Sequence, residues 1–419
     1  MPLSEDPAVT GLPSLVFALA PLLLIAFGAW AGIFPIVARL DTSGRLSLFF
    51  IIGSVVLSVE AVLFSFMGLS WSVWGLAAVP IAATLVLAAR RRSNREVGTP
   101  TEASSETFGF AQILSFLIAG VMMAVFALYL LTARCTNVDF LFFWGVKGHL
   151  FAQAKGIDAA FLRNEYAMHT HVNYPPLLPC SFAWAELTAG KFAWRLAPFH
   201  TFYWLAAGGL LVRSLLRLSG NSRGADARAA YWVAGMAASF IFSMSGGIAE
   251  PPLAVMVGIA GLILLLEDAI GGPAIFLASL LLAGAVLAKL EGGVAAGLLT
   301  GGFLIRDLLV RAPRAWRRLA LLGSFPLASW GLWLVFRLVK GIPMTDPVRE
   351  IPGRFSFAHA GEILRAALPN LAAGTFGAVW VLPIVLLIFY RSSWRRFFPA
   401  LFGCAGMMAF IAVYYLHVR

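Results

Sequence analysis

The chain has 419 residues, 60% hydrophobic and 12% charged, with a mean hydropathy of +0.86 and a formal net charge of +11. A soluble globular domain is roughly 45–50% apolar, so this composition excludes an ordinary soluble enzyme and indicates an all-α polytopic membrane protein. In a soluble protein the positive balance would suggest nucleic acid. Here the arginines collect in short clusters between apolar runs, the pattern of cytoplasmic loops facing anionic membrane lipids, and no nucleic acid partner is expected.

At about 20 apolar residues per crossing, the chain holds about 10–12 transmembrane helices. The N-terminus, MPLSEDPAVTG, lacks the basic stretch of a cleavable signal, so the first run is expected to stay as a helix. Runs near 12–36, 46–67 and 71–89 read as three spans forming an N-terminal part, residues 1–95. RRRSNR, from Arg90 to Arg95, places the end of the third in the cytoplasm. Residues 96–109 (EVGTPTEASSETFG) have no apolar period and read as a cytoplasmic linker. The core, 110–419, follows, with external loops expected at 134–176 and 340–368.

The run near 110–133 then leads outward into a polar stretch, TNVDFLFFWGVKGHLFAQAKGIDAAFLRNEYAMHTHVNYPPLLP from Thr136 to Pro179. A charged connection this long between apolar runs is expected to bind or react with something. Phe140, Phe143, Trp144, Lys147, Phe151 and Ala154 recur at the spacing of a helix lying in the membrane interface. Asp139 stands just before its first turn, as a helix cap or as a site acid. His169 and His171 share a face if the segment is extended, but two histidines without a third ligand are a weak metal signal. Cys135 and Cys180 flank the loop and either pair or stay free, and with Cys404 they form no CxxC spacing.

Beyond the loop, runs at 177–190 and 197–218 lie between an external loop and an arginine-rich flank. Two crossings break parity, so the first, carrying Glu186, is expected to be re-entrant or interfacial. Later runs lie near 229–249, 251–268, 272–290, 293–305, 319–338, 369–390 and 397–416, separated by basic clusters at Arg306–Arg318 and Arg391–Arg396. With those clusters inside, Glu250 (in SGGIAEPPL), Lys289 and Glu291 (in AVLAKLEGG) and the loop 340–368 with Arg354 reach the side of Asp139. Ionisable groups such as Lys289 and Glu291 inside an apolar run are costly and are usually paired or functional. The chain has no GxxxxGK[ST], GxGxxG or HExxH motif for nucleotide or zincin chemistry.

An acid opening a large external loop, then FWGVK, then YPPLLP entering a helix, then a turn acid before Pro-Pro-Leu, then KLEG resembles the bacterial GT-C membrane glycosyltransferases, which include protein O-mannosyltransferases and aminoarabinose transferases. The resemblance implies a transmembrane fold whose large external first loop is catalytic and carries interfacial helices. It implies transfer of a sugar from a polyprenyl-phosphate donor to a hydroxyl of a glycan, lipid or protein acceptor, with inversion, at the outer face of the inner (plasma) membrane. Asp139 and Glu250 then take the places of the catalytic acids. Trp144, Lys147, His169, His171, Tyr174, Lys289, Glu291 and Arg354 are candidates for holding substrate. No cofactor is certain, and a divalent metal stays open. The alternatives are a transporter or a lipid or polysaccharide flippase, with its charges near mid-membrane, and a polymerase or ligase taking a whole glycan.

Overall fold

The computed structural model describes residues 11–93, 109–132, 137–164, 167, 170–219, 222–271, 273–343, 402 and 406, and among them the chain forms helices and turns with no strand. In chain order these are α1 (Leu12–Ile33), α2 (Pro35–Arg39), α3 (Thr42–Phe66), α4 (Val73–Ser93) and α5 (Phe110–Thr132). Next come α6 (Gly145–Ala154), α7 (Ala159–Arg163), α8 (Leu177–Ala189), α9 (His200–Leu218) and α10 (Ser222–Phe242). The last are α11 (Glu250–Leu265), α12 (Glu267–Ile270), α13 (Ala274–Ala288), α14 (Leu290–Leu309) and α15 (Ala315–Lys340). Among the described residues, five helices are long and apolar enough to cross a membrane, namely α1, α3, α5, α14 and α15, and the protein is an all-α membrane protein. The loop 340–368 beyond Pro343 and the runs 369–390 and 397–416 fall almost wholly outside the described residues.

At the centre stands α13, AIFLASLLLAGAVLA, buried at every position but Phe276. A helix apolar all round belongs inside a bundle, and α13 packs against α3, α11, α14 and α15. Helices on both sides of residues 96–109 share one apolar core, which runs from Phe17 to Ile342. α1 and α3 touch backbone to backbone: a Cβ on Gly53 would lie 1.8 Å from the Leu24 oxygen, and one on Gly28 1.9 Å from the Phe49 oxygen. Small residues permit this approach where lipid supplies no hydrophobic drive. Pro21 cannot donate to Phe17 O, and α1 tightens into a 3₁₀ turn there. His200 Nε2 donates to that oxygen instead at 3.2 Å, and Trp184 Nε1 donates to Ala20 O at 3.2 Å.

One end of the bundle is tied by arginines. Arg213 bridges Asp41 (3.0 Å) and Asp226 (2.7 Å), and Arg217 also reaches Asp226 (2.9 Å). Arg306 and Arg318 both bind Glu267 and Asp307 at 2.6–3.2 Å, and Arg39 donates to Ile270 O. The sequence places a span at 229–249, whereas α10 begins at Ser222, because Asp226 is neutralised by two arginines and its polar turn can be helical inside the bundle.

α8 is the segment that charge parity expects to be re-entrant or interfacial. Its 13 residues span about 20 Å at 1.5 Å each, short of a hydrocarbon core about 30 Å thick. It starts beside Tyr174, and its far end is bonded to the loop helix α6 through Glu186. The expected interfacial helix takes another form. A π turn over Phe140–Trp144 leads into α6, whose Lys147, Gly148 and Phe151 are buried against α8 rather than spread on an interface. Cys180, within α8, is a buried free thiol, and Cys135 lies outside the described residues.

Candidate functional site

The end of the bundle opposite the arginine networks gathers Asp139, His171, Tyr174, Glu250, Lys289 and Glu291. Two local departures from regular helix build it. At Lys289 the chain is extended (φ −159°, ψ 158°), which separates α13 from α14 within what reads as one apolar run. Gly292 makes the break feasible, since a Cβ there would lie 1.8 Å from Ala285 O. Glu250 opens α11, with Pro251 and Pro252 in a first turn that needs no backbone donors.

The break turns Lys289 toward both glutamates. Its Nζ donates to Glu250 Oε1 at 2.6 Å and stands 3.6 Å from Glu291 Oε1. Residues two apart on a helix cannot face each other, so this pairing depends on the extended residue. Each glutamate keeps one buried oxygen, Oε2, without a hydrogen-bond partner. The Lys289 ammonium also lies 5.8 Å from the centre of the Tyr174 ring.

Asp139 is half-buried, lies in the first turn of its helix and makes no capping hydrogen bond. That role falls to Asn137, whose Oδ1 accepts the Phe140 N–H at 3.1 Å while its Nδ2 donates to Met244 O at 2.6 Å. Sequence reasoning passed over Asn137, although Asn is among the best capping residues. Among the described residues the Asp139 carboxylate makes no hydrogen bond or ion pair. Burial, and then the Glu250 carboxylate, raise its pKa above the ordinary value, against the opposing pull of Lys289 and His171.

The aromatic wall is continuous with this cluster. Tyr174 stacks on His171 (4.8 Å, 18°) and lies 5.6 Å from Trp144, and His171 meets Phe143 edge-on at 4.5 Å. His171 takes a left-handed conformation (φ 51°), and its carbonyl accepts from Tyr174 N and from Lys147 Nζ at 3.0 Å. Lys147 is 1% exposed and sits between this carbonyl and the rings of Trp144 and Tyr174, at 5.2 and 5.9 Å. Its ammonium is held by this carbonyl and the two rings, and Trp144, 2% exposed, packs in the same wall. Burial lowers the pKa of Lys147 to about 7. His169 and Arg354 lie outside the described residues.

A second polar cluster lies on the other side of α6. His149 Nδ1 donates to Glu186 at 3.0–3.1 Å and Gln153 Nε2 donates to the same carboxylate at 2.7 Å, beside Phe192 and Trp194. His149 is invisible to motif reading, because its partner is 37 residues away.

Among the described residues, no group of three His, Cys, Asp or Glu side chains is placed to hold a metal ion. What remains is an acid with no bond of its own, a Lys–Glu pair with two spare acceptor oxygens, and an aromatic wall. The set can take a proton from a hydroxyl and accept hydrogen bonds from a polyhydroxyl ligand. No protein-family model matches the chain, and comparison with curated proteins and with solved structures gives no match.

Proposed function

We propose that this protein is an integral-membrane glycosyltransferase of the inner (plasma) membrane. It moves a sugar from a polyprenyl-phosphate donor to a hydroxyl of a glycan, lipid or protein acceptor on the extracytoplasmic face. The observation that carries the reading is the unengaged carboxylate of Asp139, relieved of capping by Asn137 and set beside Glu250 and Lys289 at one end of an apolar bundle. The arginine-rich opposite end supports a cytoplasmic assignment there and an external one here. In this reaction Asp139 takes the proton of the acceptor hydroxyl, whose oxygen bonds to the anomeric carbon as the lipid phosphate leaves. A raised pKa suits that role, since a base works best with a pKa near the working pH. The configuration inverts, and no covalent glycosyl-enzyme is needed. Glu250 and Glu291 offer their spare oxygens to sugar hydroxyls, with Tyr174 as a flanking ring.

The test is mass spectrometry of lipids retained by the purified protein. The reading expects a polyprenyl-phosphate sugar, and retention of ordinary phospholipids alone would contradict it. One observation favours the transporter reading: Glu60, within α3, is 7% exposed and has no hydrogen-bond partner for either carboxylate oxygen. An unpaired acid inside a span is a common mark of an ion path. Glu60→Gln separates the two, because it abolishes proton-coupled transport and leaves sugar transfer in place.

A further inference from the structure

The carboxylate cluster leaves one need of lipid-phosphate chemistry unmet. Asp139, Glu250 and Glu291 outnumber Lys289, whose ammonium is already held by both glutamates, and the Lys147 ammonium is engaged by the His171 carbonyl and two aromatic rings. A phosphate placed among these acids meets like charge.

Cations with no carboxylate partner among the described residues lie at the site end of α15. Arg337, in its last turn, is 4% exposed and makes no ion pair among the described residues. Its Nη2 donates to Pro343 O, while its Nε has no hydrogen-bond partner. A basic residue at the end of a span ordinarily sends its charged head into water, and Arg337 does not. A guanidinium buried without an anion is an uncompensated cost that an anionic ligand removes. Lys340 ends the same helix, and the exposed Arg163 meets it at the junction, with its Cδ 3.7 Å from where a Cβ on Gly341 would stand. Neither is ion-paired among the described residues. One turn before Arg337, Trp333 donates Nε1 to Asn173 O at 3.1 Å. The basic patch therefore adjoins the turn that carries Tyr174.

We infer that Arg337, aided by Arg163 and Lys340, binds the phosphate of a lipid phosphate beside the carboxylate cluster. The guanidinium fork is suited to two phosphate oxygens at once. That the lipid is the sugar donor rests on the transferase reading, whereas the phosphate site itself does not. A phosphate group could also come from a bilayer phospholipid or from free phosphate, so the experiment separates the three sources.

The full chain in detergent is titrated with farnesyl phosphate, farnesol, inorganic phosphate and phosphatidylglycerol, and the thermal midpoint and binding are measured. Farnesyl phosphate is expected to bind and raise the midpoint, with farnesol and inorganic phosphate without effect and phosphatidylglycerol a weak competitor. Arg337→Gln weakens farnesyl phosphate about tenfold or more, Arg337→Lys retains part of the affinity, and the Arg163→Gln/Lys340→Gln pair lowers it less. Farnesyl phosphate binding unchanged in Arg337→Gln overturns the inference. Equal binding of phosphatidylglycerol also overturns it, by making the patch a general lipid contact, as does equal binding of inorganic phosphate. Should Arg337→Gln fail to fold, Arg337→Lys and the double variant decide by the same measure, wild-type affinity in both overturning the site. Asp139→Asn is expected to bind farnesyl phosphate like the wild type. Transfer by that variant at the wild-type rate would remove the transferase role of Asp139 while leaving the phosphate site intact.

Discussion

Asn137 and Asp139 divide two tasks that a sequence reader assigns to one residue. The cap is made by Asn137, so Asn137→Ala is expected to destabilise the protein by about 1 kcal/mol, while Asp139→Asn leaves stability near the wild type. Thermal unfolding of the two variants checks this, and the reverse order would return Asp139 to a structural role. Lys147 makes a second prediction. Its pKa is lowered in the folded state to about 7, against an ordinary 10.5, so between those values the unfolded chain binds a proton that the folded one does not. Stability therefore rises with pH across that window and is insensitive to this group below it. Lys147→Met fills the same space without the charge and is expected to flatten the pH 7–10.5 slope of the thermal midpoint; a slope unchanged in Lys147→Met would contradict the assignment. The polarity of both positions was legible in the sequence. Which of two neighbouring polar residues caps, and whether a lysine faces ligand or packing, depends on contacts such as Met244 O and His171 O that lie far along the chain or across a turn.

At the scale of elements, the break at Lys289 decides whether a lysine and two acids can meet. Gly292→Ala would drive a Cβ into Ala285 O, a backbone atom that cannot swing aside, and is expected to cost at least the ~1–3 kcal/mol typical of overpacking. Gly297→Ala, in the same helix with no heavy atom within 4 Å of its Cβ position, serves as the control and is expected to be neutral or stabilising. Equal behaviour of the two, measured as folded yield and thermal midpoint, would contradict the account of the break. The apolar runs were readable because burial in lipid or protein demands apolar side chains over a helix length. The start of α10 and the burial of α6 were not, since Asp226 is admitted by arginines on another helix and α6 is covered by α8.

Taken as a molecule, the protein keeps two kinds of charge apart. At one end, ion pairs between arginines and carboxylates link helices; at the other, the oxygens of Glu250 and Glu291 are left spare. This asymmetry predicts the topology. With Cys135 and Cys404 replaced by Ser, a cysteine at Asn164 should react with a membrane-impermeant thiol reagent in intact cells, while cysteines at Pro313 and Ser104 should react only after permeabilisation. The opposite labelling would turn the site toward the cytoplasm and remove the external reaction. Asp139, Tyr174, Glu250 and Lys289 come from four separated short motifs and converge in space. What those residues act on has no counterpart in the packing of the chain alone.

The central claim is that Asp139 is the base of a sugar transfer, and one measurement meets it directly. Wild-type protein and Asp139→Asn are purified in parallel, and binding of the retained lipid donor and transfer of its sugar are measured on the same samples. The account predicts donor binding within about twofold of wild type and transfer slower by roughly 100- to 10,000-fold, with the wild-type rate rising with pH through the raised pKa of the carboxyl. Transfer at the wild-type rate by Asp139→Asn, with donor bound, would contradict it.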